Sequence, residues 1–224
     1  MVSSNRIFRR SRLPPLLSGG LWSSAALFGL SLFVIAPSAS YAAGELQKAI
    51  DDASEFATVK LGPGLYEGNI VIRKPLTLVA TQPSAVIKGD GKGSVVTVES
   101  SYVTIEGLEI INSGGEHQTI DSGIAVKNGF NVKIKNNKIH ECLFGVNLEK
   151  SNNCVVEDNQ ISSKNLSLGL RGDGIRLWYS HSNLIIKNHT FQVRDNVFWY
   201  SSGNTVEKNI GRNSRYSLHF MYAD

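Results

Sequence analysis

Beyond residue 54 the chain is written in short apolar–polar alternations, broken every few residues by Gly, Asn, Ser or Asp. Thr58-Val59-Lys60-Leu61 runs into a Gly62-Pro63-Gly64 turn. Asn69-Ile70-Val71-Ile72 follows, then a Lys74-Pro75 break, then Leu76-Thr77-Leu78-Val79. Period-two runs this short, with polar turns between them, predict β-strands. Helical spacing occurs once, over residues 45–53, where Leu46, Ala49, Ile50 and Ala53 fall on one face. With no helices between the strands, the choice narrows to a sandwich, a barrel or a solenoid.

An internal repeat selects the solenoid. Gly123-Ile124-Ala125-Val126, Gly145-Val146-Asn147-Leu148, Gly174-Ile175-Arg176-Leu177, Asn196-Val197-Phe198-Trp199 and Ser217-Leu218-His219-Phe220 share one pattern. They start about 22 residues apart, except for one longer interval that holds an insertion near Ser163 to Arg171. A second motif recurs in Ile134-Lys135-Asn136-Asn137-Lys138-Ile139, Val156-Glu157-Asp158-Asn159-Gln160-Ile161 and Val206-Glu207-Lys208-Asn209-Ile210. Ile186-Lys187-Asn188-His189 matches it more loosely. Asn tolerates left-handed corners. Stacked coils place Asn137, Asn159 and Asn209 in one ladder, with His189 as the odd member. The prediction is an all-β fold: a right-handed parallel β-helix over residues 43–224, with the short N-terminal helix capping its open end. The last residues, Met221 to Asp224, fall inside a repeat unit, so further coils are expected beyond them.

Alternation assigns faces. Ile124 and Val126, Val146 and Leu148, Ile175 and Leu177, Val197 and Trp199, and Leu218 and Phe220 are expected inside. The outer columns then read Ala125, Asn147, Arg176, Phe198, His219; next Lys127, Glu149, Trp178, Tyr200, Met221; next Asn128, Lys150, Tyr179, Ser201, Tyr222. The later coils thus present Arg176, Trp178, Tyr179, Phe198, Tyr200 and Tyr222 as a ligand or partner face.

The start of the chain changes the charge picture. Arg6, Arg9, Arg10 and Arg12 precede an apolar run from Leu21 to Ala36, and Pro37-Ser38-Ala39-Ser40-Tyr41-Ala42 offers small residues for a cut after Ala42. Residues 1–42 therefore read as a secretory signal. An uncleaved anchor fits less well, because the apolar run is shorter than the ~20 residues of a span. The whole chain has 23 Lys+Arg against 19 Asp+Glu, and the four leader arginines are the entire excess. A neutral mature chain gives no support for nucleic-acid binding. Cys142 and Cys154 lie about half a coil apart, which favours two buried thiols over a bridge.

Three chemistries fit the outer face. Aromatic rings suit sugars, and Trp, Tyr and Arg suit a protein partner. His219 and Met221, two apart on one strand, offer imidazole and thioether to a soft metal such as copper, with His181 as a candidate third ligand. A sugar lyase would instead need a carboxylate cluster. Asp173 and Asp195, one place before repeat starts, are few for Ca²⁺, and Arg194 and Arg215, two places before the next starts, account for them as stacked ion pairs.

The ordered set Gly172-Asp173-Gly174-Ile175-Arg176-Leu177-Trp178, Arg194-Asp195-Asn196-Val197-Phe198 and Ser217-Leu218-His219-Phe220-Met221-Tyr222 resembles the NosD family. Leu61-Gly62-Pro63-Gly64-Leu65-Tyr66 resembles the front of many secreted β-helix proteins. The resemblance implies a periplasmic, non-enzymatic accessory protein of nitrous oxide reductase. It implies action with an ABC-type ATPase and permease (NosF and NosY) and the copper lipoprotein NosL in assembly of the reductase's copper centre. It carries a transient copper contact onto His219 and Met221. The chain is shorter than that family's usual length. The alternative kept beside this reading is a polysaccharide-binding or lyase-type secreted β-helix.

Overall fold

A computed structural model describes residues 32–35, 40–42 and 44–223. Among them the strands form three parallel sheets of eight, eight and seven strands, and each coil contributes one strand to each sheet. This is the right-handed β-helix that the repeat predicts. The first sheet stacks Val59, Leu78, Ile105, Ile134, Val156, Ile185 and Val206 in one inward column. The second stacks Tyr66, Ile87, Ile110, Ile139, Ile161 and Thr190. The third stacks Ile72, Val98, Val126, Leu148, Leu177, Phe198 and Phe220. These columns meet in one continuous apolar interior. Each coil is too small to bury its own face, so stability comes from neighbouring rungs.

Packing inside is tight where the repeat places glycine. A Cβ on Gly145 would stand 2.2 Å from Ile161 Cγ2 and 2.3 Å from the Gly174 carbonyl oxygen. The close approach of second and third sheets therefore excludes any side chain there.

The helix Glu45–Asp52 buries Leu46 and Ile50. It also covers a strand edge: Gln47 Oε1 accepts from the Val71 N–H at 2.7 Å, and its Nε2 donates to the Val71 carbonyl at 3.0 Å. The leader expected over 1–42 lies mostly outside the described residues. Within it, Leu32–Ile35 pairs parallel with Thr58–Leu61, and Ser40–Tyr41 with Leu65–Tyr66. The Tyr41 ring stacks on Tyr66 at 4.3 Å.

The corner after the first sheet divides two duties that the sequence reading gave to one residue. Asn136, Asp158, Lys187 and Lys208 take the left-handed conformation, with φ of 53–55°. The following residues, Asn137, Asn159, Asn188 and Asn209, turn inward and form the amide ladder. Asn188 is thus the ladder member, and His189 lies exposed on the outer face of the second sheet. Parallel ladders of Ser151, Ser180 and Ser201, and of Asn183 and Asn204, bind the opposite corner. Cys142 and Cys154 are buried and free, and burial pushes both thiols up to about 11.

Register departs from the expected pattern in the last coils. Arg176 pairs with Val197, Leu177 with Phe198 and Trp178 with Trp199. The expected match of Ile175 with Val197 is therefore one residue out, and such a slip exchanges inside for outside. Phe198, expected on the outer face, is interior. Val197 and Trp199, expected inside, face outward. The next rung carries a bulge between Asp195 and Val197, after which Val197 pairs with His219 and Trp199 with Met221. Leu218 and Phe220 remain 43% and 53% exposed at the final coil.

Candidate functional site

The outer columns of the third sheet are Ala125, Asn147, Arg176, Val197, His219 and Lys127, Glu149, Trp178, Trp199, Met221. Period-two geometry puts His219 and Met221 on the same side of the strand Tyr216–Met221. Both line a cleft of about 380 Å³ together with Asp173, Arg176, Arg194, Asp195, Val197, Trp199 and Arg215. His117, Ile120 and Phe144 form its other wall. That wall is held by segments that break the repeat. The His117 ring packs edge-on against Phe144 at 5.5 Å, and its Nε2 lies 3.0 Å from the Leu170 carbonyl of the insertion.

Charge in the cleft is arranged in paired rungs. Arg194 Nε and Nη2 donate to the two Asp173 carboxylate oxygens at 3.1 and 3.3 Å. One coil on, Arg215 repeats the fork on Asp195, whose Oδ1 also accepts the Tyr216 N–H at 3.0 Å. Burial raises the Asp173 carboxyl above its ordinary value despite Arg194. Burial also acts upward on Asp195, but the Arg215 hydrogen bonds and charge outweigh it and hold that carboxyl below the usual range. Both carboxyls are buried, and Asp195 differs in also accepting the Tyr216 N–H and lying beside His219. Each of the two carboxylates is thus held by its own arginine.

His219 Nδ1 is buried and lies 3.5 Å from Asp195 Oδ2. The Asp195 carboxylate lies behind Nδ1 without hydrogen-bonding it, and Nε2 is the other ring nitrogen. Met221 sits beside it with its thioether on the same face. His181 is not brought to this pair. It occupies the turn after Trp178, where its Nδ1 accepts from the Ser202 N–H at 3.1 Å and contacts Ser202 Oγ at 2.9 Å. Among the described residues no group of three or more His, Cys, Asp or Glu side chains could hold a metal. His219 and Met221 are the imidazole and thioether among the residues that line the cleft.

The aromatic face takes a specific form. Tyr179, Tyr200 and Tyr222 share the left-handed corner column with Asn128 and Lys150, all at φ 48–54°. Tyr200 occupies the place expected for Ser201. The three rings stack face to face, at 4.9 Å between Tyr179 and Tyr200 and 5.0 Å between Tyr200 and Tyr222. Trp178 meets Tyr179, Tyr200 and Trp199 edge-on. Stacking spends the ring faces on one another, so this column offers edges and hydroxyls rather than flat platforms for sugar rings. Arg176 lies over the Trp178 ring at 4.9 Å.

The repeat pattern does not reach His117 and Ile120, because the segment between Ile111 and Ser122 matches no repeat unit, nor Phe144, which directly precedes the repeat start at Gly145. It missed Val197 and Trp199 through the register slip.

Comparison with known proteins adds to this geometry. The family described as "Right handed beta helix region" matches residues 84–191, and "Periplasmic copper-binding protein (NosD)" matches residues 160–224. A protein of Pseudomonas aeruginosa named "Probable ABC transporter binding protein NosD" is 33% identical over 137 residues, 60% of this chain and 32% of that protein. Its namesake in Stutzerimonas stutzeri is 29% identical over 138 residues, 61% of this chain and 31% of that protein. The chain thus spans about a third of the length of the curated relatives it matches. Among solved structures, an alginate lyase from Paenibacillus sp. str. FPU-7 superposes with a TM-score of 0.57 at 15% identity, covering 78% of this chain and 76% of that one. The A-module of the Azotobacter vinelandii mannuronan C-5 epimerase AlgE6 gives 0.53 at 19% identity, covering 78% and 52%. At these identities the two structures share the fold and nothing more.

Proposed function

We propose that this chain, which is similar to the NosD family and to curated NosD proteins, is a periplasmic, non-enzymatic accessory protein that passes copper during assembly of the copper centre of nitrous oxide reductase. On this reading it acts with an ABC transporter made of the NosF ATPase and NosY permease, and with the copper lipoprotein NosL. The leader over 1–42 delivers it to the periplasm.

The observation that carries the reading is the His219–Met221 pair in the cleft, backed by Asp195. The region that matches the copper-binding family, residues 160–224, contains every charged residue of that cleft's lining. Imidazole with thioether suits Cu(I), a soft ion. Two donors hold the ion while leaving room for an incoming ligand, which is what a cargo site needs. Copper then leaves by ligand exchange without change of oxidation state.

The test is titration of the purified chain with Cu(I) against a competing chelator. His219→Ala combined with Met221→Ala is expected to lose affinity by at least about tenfold, or about 1.4 kcal/mol. Unchanged affinity removes the site. A gene deletion that leaves nitrous oxide reductase fully loaded with copper removes the functional reading.

A further inference from the structure

We propose that the same cleft binds a carboxylate through Arg176, independently of copper. The cleft holds three guanidinium groups and two carboxylates. Each carboxylate is already gripped by its own arginine, Asp173 by Arg194 and Asp195 by Arg215. Arg176 is the surplus cation. Among the described residues its only hydrogen bond runs from Nη1 to the Asn147 amide oxygen, at 2.9 Å. Among the described residues no carboxylate lies within ion-pair distance of it, and Asp173 and Glu149 favour its charge only from farther off.

This arginine is also costly to leave so. Burial pushes its pKa down, since the charged form is half removed from water. A partly desolvated charge with no direct ion pair is incompletely compensated, and a guanidinium fork is best met by two oxygens in one plane. Its Nε and Nη2 donors are the ones left for such a partner. The Trp178 ring beneath it and the Asn147 amide hold the fork in place.

The rest of the lining sets the ligand's body. Phe144, Ile120, Val197 and Trp199 supply apolar walls beside the arginine. An inorganic anion leaves those walls unmatched. A branched or flat apolar group carrying one carboxylate fits both halves, whether as a small acid or as the C-terminus of a peptide ending in an apolar residue.

Calorimetric titration of the intact, copper-free chain tests this with isovalerate, isovaleramide and sulfate. Isovalerate is expected to bind, with the amide and sulfate each at least about tenfold weaker. Arg176→Gln is expected to abolish the difference between acid and amide. Arg176→Lys, which keeps the charge without the fork, is expected to fall between them. A leucine-ending peptide that binds tighter than isovalerate, and loses this on amidation, identifies a chain terminus as the source; the reverse order identifies a small acid. Absence of isovalerate binding, sulfate binding as tightly, or full affinity in Arg176→Gln overturns the assignment. No copper is present, so the outcome is separate from the copper reading.

Discussion

Asp195 stands between Arg215 and His219, taking the guanidinium fork on both oxygens while Oδ2 lies 3.5 Å from the imidazole Nδ1. One buried carboxylate thus couples two adjacent coils and stands beside the histidine of the cleft. Asp195→Asn leaves Arg215 half-paired and weakens that hold. We expect a loss of about 1–3 kcal/mol in stability, measured by denaturant midpoint.

The two aspartates should differ in pH dependence. Asp195 has a lowered pKa, so its contribution is present above the ordinary carboxylate value of 3.8 and is lost as pH falls through the lower folded value. Asp173 has a raised pKa. The folded chain therefore holds its proton more tightly than the unfolded chain, and stability falls as pH rises from the ordinary value through the folded one. Urea unfolding at successive pH values separates them. Asp195→Asn should flatten the acid-side loss of stability. Asp173→Asn should remove the decline above pH 3.8 and cost less at neutral pH. A larger neutral-pH cost for Asp173→Asn would contradict the assigned directions.

The amide ladder makes a graded prediction. Asn159 accepts the Asn137 N–H and Nδ2 at 3.0 and 3.1 Å, and its own Nδ2 donates to Asn188 Oδ1 and the Ile134 carbonyl at 2.9 Å. All of these atoms lie in the dry interior. Asn159→Ala strands several of them at once and should cost about 3 kcal/mol. Asn209 makes equivalent bonds to Asn188 but is half-exposed at the end of the stack, where water replaces them. Asn209→Ala should cost about 1 kcal/mol. Equal costs would mean that the ladder is not read by burial.

The coil repeat was legible because Gly123, Gly145 and Gly174 open similar units and alternate cleanly behind them. The alternation fails at Val197-Phe198-Trp199, where three consecutive large apolar residues leave periodicity without a preference. Only the pairing of Arg176 with Val197 shows that Phe198 is the inward one. Asn188-His189 hid the ladder in the same way, since either polar residue fits a corner by composition. That His219 and Met221 share a face was legible because their spacing alone puts them there. The wall of His117 and Ile120 was not, because a segment outside the repeat has no column to inherit a position from.

Tyr200 joins two constraints that a substitution can separate. Its ring is held between Tyr179 and Tyr222, and its backbone sits at φ 49°. A β-branched residue in the left-handed region carries a steric cost of about 1–2 kcal/mol, whereas Asn tolerates it. Each lost ring contact removes about 0.5–1.5 kcal/mol. Tyr200→Asn loses the stack but relieves the backbone, so the net cost should be about 1 kcal/mol. Tyr200→Val loses the stack and adds strain, and should cost about 3 kcal/mol. Thermal or denaturant unfolding of the two variants measures the difference. If Val and Asn are equally tolerated, the corner is not held in the left-handed conformation, and the Tyr column has a different geometry from the one described.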